Sequence, residues 1–445
     1  MRTTGRPVNA PRCAWAGPQR TAKAGLPCAA TQGIPTYRRE RTVPDIYVAR
    51  QPIYDRKLYV YAYELLYRGG GERETAEVVD GDDATSQVLV NALLDIGLPE
   101  LVEDSLAFIN LTEHYIVEGL PASLARDKVV LEVLEDIEAT DAVIDGIKRL
   151  KQDGHVIALD DFICDGSKRA LVEQADIIKI DLLALPGSAL AEQVKKLRPM
   201  GVRLLAEKVE TPEEYEYCKA LGFDYFQGYF FCKPNIVKGA HTPTSRMAIV
   251  QLLARLQDPA LDMGELQSLV AQDVSLSYRI LRYINSAQFN LGQKIESIQQ
   301  AISLLGLNTI KTWVAILAMS SVDDKPYELI LTALVRAHMC ETLAVRSSIS
   351  VDHAFTVGLF SALDAFIDKS LDEIIQALPL ADSLNQALLQ QQGELGELLA
   401  LVLNYERGQW DELARSPLGS DELRNAYLAS IRWAGEISDA LIKKK

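Results

Sequence analysis

The stretch HVIALDDFICDG, residues 155–166, drives an apolar run into two adjacent aspartates, Asp160 and Asp161. Neighbouring carboxylates repel each other, and each is costly to desolvate without a partner. Either the pair sits on a solvated turn, or a cation lies between the two acids. Residues of the same character recur at the ends of other apolar runs. LAFIN ends in Asn110, KVVLEV carries Glu132, DIIKI carries Lys179, VRLLAE ends in Glu207 and FDYFQ ends in Gln227. Glu64 stands among apolar neighbours in LYVYAYELL. Taken singly, each has an ordinary reading: Asn110 a helix cap, Glu132 a rim residue, Lys179 a buried ion-pair partner. Taken jointly, an asparagine and several carboxylates form a hard-oxygen set that suits Mg²⁺ or Mn²⁺ and not Zn²⁺. Two cations sharing an aspartate activate water and stabilise the charge that builds on a phosphodiester during in-line attack. Lys179 would orient the water and offset that charge. None of the five histidines joins the set.

These residues need elements to place them. Eight runs read as strands: 46–53, 58–66, 106–110, 128–133, 155–160, 176–180, 202–207 and 223–227. Helical patterns lie between them at 84–96, 138–154 and 211–222. The last opens with Thr211 as N-cap and Pro212 at the first helical position, and it stops at Gly222. Repeated strand–helix units with near-continuous apolar strands predict a parallel sheet covered by helices, closed into an α/β TIM-like (β/α) barrel. The polar strand ends then gather at the face where such barrels carry their sites.

Composition fixes the frame. The 445 residues are 48% hydrophobic and 24% charged, with a net charge of -15. That balance reads as a soluble, cytoplasmic protein and makes a nucleic-acid polymer an unsuitable partner. The longest uncharged stretch in the second half, Ser297 to Ile310, is 14 residues, too short for a membrane span. Six cysteines without CxxC spacing read as reduced thiols. Residues 1–44 differ from the rest, with eight Lys/Arg against one acid, Glu40, and six of the 18 prolines. They read as a disordered basic, Pro-rich segment. The barrel is expected over 45–238 and a polar linker over 239–246. An all-α domain follows over 247–445, with apolar faces such as Ile249, Leu252, Leu253 and Leu256.

The motifs YELLYR (63–68), FIN (108–110), LEVLE (131–135), LDDF (159–162), IKID (178–181), AEKVET (206–211) and FDYFQGYFFCKP (223–234) occur in order. Together they resemble the EAL family of cyclic-di-GMP phosphodiesterases. The resemblance implies linearisation of cyclic di-GMP to pGpG with two Mg²⁺ or Mn²⁺ ions. It places metal ligands at Glu64, Asn110, Glu132, Asp160 and Asp161, and the water-orienting lysine at Lys179. It gives Glu207 as ligand or general base, Gln227 as the site glutamine and Arg68 as a contact to ligand phosphate. Glu135 would steady the loop after the aspartate pair. The family's usual DDFGTGYSSL reads DDFICDGSKRAL here, so Ile163 replaces a glycine, and the motif that names the family reads Glu64-Leu65-Leu66. A second reading, a receptor or adapter that binds without cutting, rests on that rewritten loop 163–170.

Residues 280–314 resemble the HDOD domain, a relative of metal-dependent HD phosphohydrolases. Ser361-Ala362 stands where those enzymes carry a His–Asp dyad, so no metal chemistry is expected there. The resemblance implies a regulatory or partner-binding role for this domain with an unknown protein partner, an output in motility versus biofilm behaviour, and barrels that can form homodimers.

Overall fold

The structure is a computed structural model that describes residues 46–69, 97–119, 126–162, 168–185, 187–233, 244–285, 294–322, 325–345 and 347–442. The expectations for residues 1–44, for a helix over 84–96 and for Ile163 lie outside these residues, as does most of the proposed linker. The described residues belong to one compact unit.

Eight strands close a barrel in sequence order. They are β1 (Ile46–Asp55), β2 (Val60–Gly69), β3 (Leu106–Leu111), β4 (Val129–Val133), β5 (Val156–Leu159), β6 (Ile177–Asp181), β7 (Arg203–Glu207) and β8 (Tyr225–Gln227). All eight sequence runs are strands. From β2 to β8 neighbours pair in parallel. β1 departs from the expected parallel sheet, since it runs antiparallel to both β2 and β8. The reason is local: only residues 56–59 join β1 to β2, a turn that makes a hairpin and is far too short for a parallel crossover.

Side chains alternate in and out along each strand. Ile53, Ala62, Phe108, Val130, Ala158, Ile177, Leu205 and Tyr225, one from each strand, form a dry plug inside the barrel. The outer faces pack on helices such as Asp141–Gln152, Ser188–Leu197 and Pro212–Leu221. The last of these has the expected start. The Thr211 side chain accepts from the Glu214 amide, the Glu214 carboxylate accepts in return, and Gly222 ends the helix at φ 101°.

The hairpin leaves β1 without a covering helix of its own. Helices of the second half take that place, chiefly Ser420–Ile437 and Gly393–Glu406. β8 pairs only with Ile53–Asp55, so the preceding part of β1 is an open sheet edge on that side. Two tyrosines close it. The Tyr405 hydroxyl donates to the Val48 carbonyl (3.0 Å), and the Arg50 amide donates to the Tyr427 hydroxyl (3.2 Å). On the outer barrel face the Arg50 guanidinium lies 4.2 Å over the Tyr63 ring, and the Tyr63 hydroxyl donates to Glu328 (2.9 Å).

Within the helices, the Arg336 guanidinium grips the Glu406 carboxylate through Nε (2.6 Å) and Nη2 (2.7 Å), and both are largely buried. Removing one partner of a buried pair leaves a bare charge at a cost of about 3–5 kcal/mol. Arg336→Met should therefore lower the unfolding midpoint markedly, and Arg336→Met with Glu406→Leu should regain most of the loss. Thermal unfolding of the two variants checks this.

Candidate active site

The site is the layer of side chains directly above the apolar plug. Two residues on from the plug residue of each parallel strand stand Glu64, Asn110, Glu132, Asp160, Lys179, Glu207 and Gln227. The strand period of two turns all of them inward. On β1, which runs the other way, the equivalent residue lies two before the plug residue, and it is Gln51.

Lys179 is at the centre. Its side chain is 1% exposed, and Nζ pairs with Asp160 (2.9 Å), Glu207 (2.7 Å), Glu64 (3.4 Å) and Glu132. Burial works against the charge more than any one neighbour supports it, yet the four carboxylates together hold the Lys179 pKa well above that of ordinary lysine. It remains an ammonium, a donor and a fixed positive charge. The carboxylates divide. Burial pushes Glu132 and Glu207 well above the usual carboxylate range despite Lys179. Asp160, less deeply placed, is raised most by burial, but the Lys179 charge and the hydrogen bonds to its carboxylate together outweigh that and leave it lowered. The Gln227 amide joins two further members, donating to Gln51 Oε1 (2.9 Å) and Glu64 Oε2 (2.5 Å).

The two adjacent aspartates now have a geometric explanation. In a regular strand, successive side chains point to opposite faces. Asp161 has φ 39°, a left-handed kink that aspartate tolerates better than most residues. The kink lets Asp160 and Asp161 line one cavity, and their carboxylates come within 4.8 Å of each other and of Glu207. Glu207 and Lys208 repeat the device, with Lys208 at φ 54° and both side chains on the cavity. Lys208 is held by Asp181 (2.6 Å).

The cavity has a volume of about 570 Å³. Glu64, Asn110, Asp160, Asp161, Lys179, Glu207 and Gln227 line it, and Glu132 lies beneath, bonded to Lys179. Several oxygens here are buried and lack any hydrogen-bond partner: Asn110 Oδ1, Glu132 Oε2, Asp161 Oδ1 and Glu207 Oε2. Unpaired buried acceptors are costly. A set of them, all hard oxygens, fits a divalent cation. Asp160, Asp161 and Glu207 form the one such acidic group among the described residues.

Glu135 is exposed and does not line the cavity. Arg68 falls at the end of β2, but its side chain is outside the described residues. Sequence reasoning missed Gln51, whose strand inverts the strand-end rule, and Lys208, which follows a site residue. It also missed Arg407, Gly408 and Trp410, which line the same cavity from the helical half.

In that half, Ser361 and Ala362 stand at the expected dyad position. The Ser361 hydroxyl donates to the Gly358 carbonyl (2.7 Å) and accepts from Arg336 Nη1 (3.2 Å), while Ala362 is buried. An arginine already partnered by Glu406 thus stands beside the position where a metal ligand would be needed. His338 is packed face to face on Trp433 (4.6 Å) and bonded to Ser430 (3.0 Å). Burial pushes its pKa down to about 4, so it is neutral at neutral pH.

Comparison with known proteins agrees with this division. Residues 100–234 match the EAL domain and residues 242–395 the HDOD domain. The uncharacterized protein YuxH of Bacillus subtilis is 38% identical over 407 residues, 89% of this chain and 99% of that protein. The Vibrio cholerae protein CdgJ, named a cyclic di-GMP phosphodiesterase, is 34% identical over 408 residues, 90% of this chain and 94% of that protein. Among solved structures, Klebsiella pneumoniae BlrP1 in a manganese and cyclic-di-GMP complex is 25% identical, covering 45% of this chain and 57% of that one, with a TM-score of 0.34.

A ligand that binds only the folded state stabilises it by about 2.7 kcal/mol at a hundredfold excess over its Kd. Mg²⁺ or Mn²⁺ added to chelator-treated protein should therefore raise the unfolding midpoint, and Asp161→Asn should remove most of that rise. Differential scanning calorimetry reads both.

Proposed function

The chain belongs to the EAL–HDOD family, and from that premise we propose that it hydrolyses cyclic di-GMP to linear pGpG at the mouth of the barrel. The observation that carries this reading is the ring of buried, unpartnered oxygens around the buried ammonium of Lys179. The metal set is Glu64, Asn110, Glu132, Asp160 and Asp161, with Glu207 beside it. Five carboxylates gather around the one buried ammonium, an excess of acids that divalent cations would offset. Bound there, Mg²⁺ or Mn²⁺ would supply ionised water at neutral pH and would draw charge from the phosphodiester.

The chain's own groups do the rest. Lys179 keeps its proton and orients the attacking water while offsetting charge on phosphorus. Glu207, whose carboxylate lies beside Asp160 and Asp161 on the cavity, accepts the proton that the water releases. The water oxygen forms the new P–O bond as the bond from phosphorus to the 3′ oxygen breaks, and the 3′ oxygen takes up a proton from solvent, leaving a 5′-phosphate and a free 3′ hydroxyl. Gln227, held between Gln51 and Glu64, keeps the Glu64 carboxylate facing the cavity. Arg68 is assigned to ligand phosphate and Glu135 to the loop after the aspartate pair.

The helical half, proposed to begin near 247 after a linker at 239–246, serves regulation or partner binding without chemistry of its own. Among the described residues no helix is long and apolar enough to cross a membrane. A cytoplasmic location, an unidentified protein partner and homodimerisation complete the reading.

Incubation of the full chain with cyclic di-GMP and Mg²⁺ or Mn²⁺, with pGpG followed by chromatography, should show metal-dependent conversion. Glu64→Ala should keep the fold and lose turnover by at least a hundredfold. Binding without conversion would place the chain among cyclic-di-GMP receptors instead.

A further inference from the structure

The catalytic cavity is walled on one side by the helical half. Helix Gly393–Glu406 ends in a tight turn, and Arg407, Gly408 and Trp410 of that turn line the same space as Asp160 and Glu207. The turn is fixed from both directions. The Glu406 carboxylate is gripped by Arg336, and the Glu406 carbonyl accepts from the Tyr229 hydroxyl of the barrel (3.2 Å). Trp410 stacks on Tyr47 of β1, with centroids 5.3 Å apart and planes at 19°. Gly408 has φ 66°, and a Cβ there would lie 3.2 Å from Leu66 Cδ1 on β2, so the turn is seated directly against the barrel.

The charge pattern says what this wall is suited to hold. The cavity floor is crowded with carboxylates, while Arg407 is an exposed cation on the wall, its guanidinium carbon 5.7 Å from the Tyr229 ring centroid. A cyclic dinucleotide carries two phosphates, and only one is cut at a time. The other needs a cation away from the acids, and a guanidinium matches phosphate geometry with two parallel donors. The bases need an aromatic or apolar wall, which a half-buried indole provides.

We propose that Arg407 and Trp410 of the helical half are substrate-binding residues: Arg407 holds the phosphate that is not under attack, and Trp410 walls the adjoining guanine. The proposal rests on the cyclic-di-GMP reading of the barrel site. It makes the helical domain a structural part of the active site as well as an appendage to it.

The test measures kcat and KM for cyclic di-GMP with Mn²⁺ on the full chain, and cyclic-di-GMP affinity by calorimetry with Ca²⁺ in place of Mn²⁺. Arg407→Ala should raise KM and the calorimetric Kd about tenfold, with kcat within about twofold and an unchanged unfolding midpoint. Arg407→Lys should recover part of the loss. Trp410→Leu should weaken binding as well. Wild-type affinity and KM in Arg407→Ala would overturn this inference and leave the phosphodiesterase reading intact. A wild-type chain that neither cuts nor binds cyclic di-GMP would overturn both.

Discussion

One buried ammonium organises this molecule's chemistry. Lys179 sits where four carboxylates converge, and its buried charge pairs with all four of them. At an effective dielectric of about 20, two unit charges about 4 Å apart interact by about 4 kcal/mol. The repulsions among the acids are therefore as serious as their attractions to the lysine. The protein meets this in two ways: it raises the proton affinity of the deepest acids, Glu132 and Glu207, and it leaves oxygens turned into the cavity without partners. Both are properties of a site that is electrostatically incomplete without cations.

The placement of that charge follows from a simple period. An apolar residue in each strand fills the barrel, and the residue two positions on carries the site. This made most of the site legible from sequence, because Asn110, Asp160, Glu207 and Gln227 each close an apolar run, and Glu132 and Lys179 stand one residue before the end of theirs. It also explains the misses. Gln51 precedes its plug residue because β1 runs backward, a fact that resides in strand pairing and not in composition. The kink at Asp161 was hidden for a similar reason. The sequence showed two acids side by side, but only backbone geometry decides whether both face one cavity.

The helical half was legible as helices. Its relation to the barrel was not. Tyr405 meets Val48, and Tyr427 meets Arg50, across hundreds of residues of chain, with no local signal on either side. The short hairpin turn between β1 and β2 is the root cause. It denies β1 a crossover helix, and the resulting bare face is where the second half docks and where its turn at Arg407–Trp410 reaches the cavity.

That open flank of β1 bears on how the two halves can be separated. Strand edges with free amides and carbonyls recruit other strands, and natural proteins cover or charge them to prevent it. Here the cover is a pair of tyrosine hydroxyls from a neighbouring module. A barrel cut free of its helices would keep every residue of its carboxylate ring and still present a self-adhesive border. Clumping of such a fragment would then report a lost chaperone-like shield, and its poor activity would say little about the ring itself.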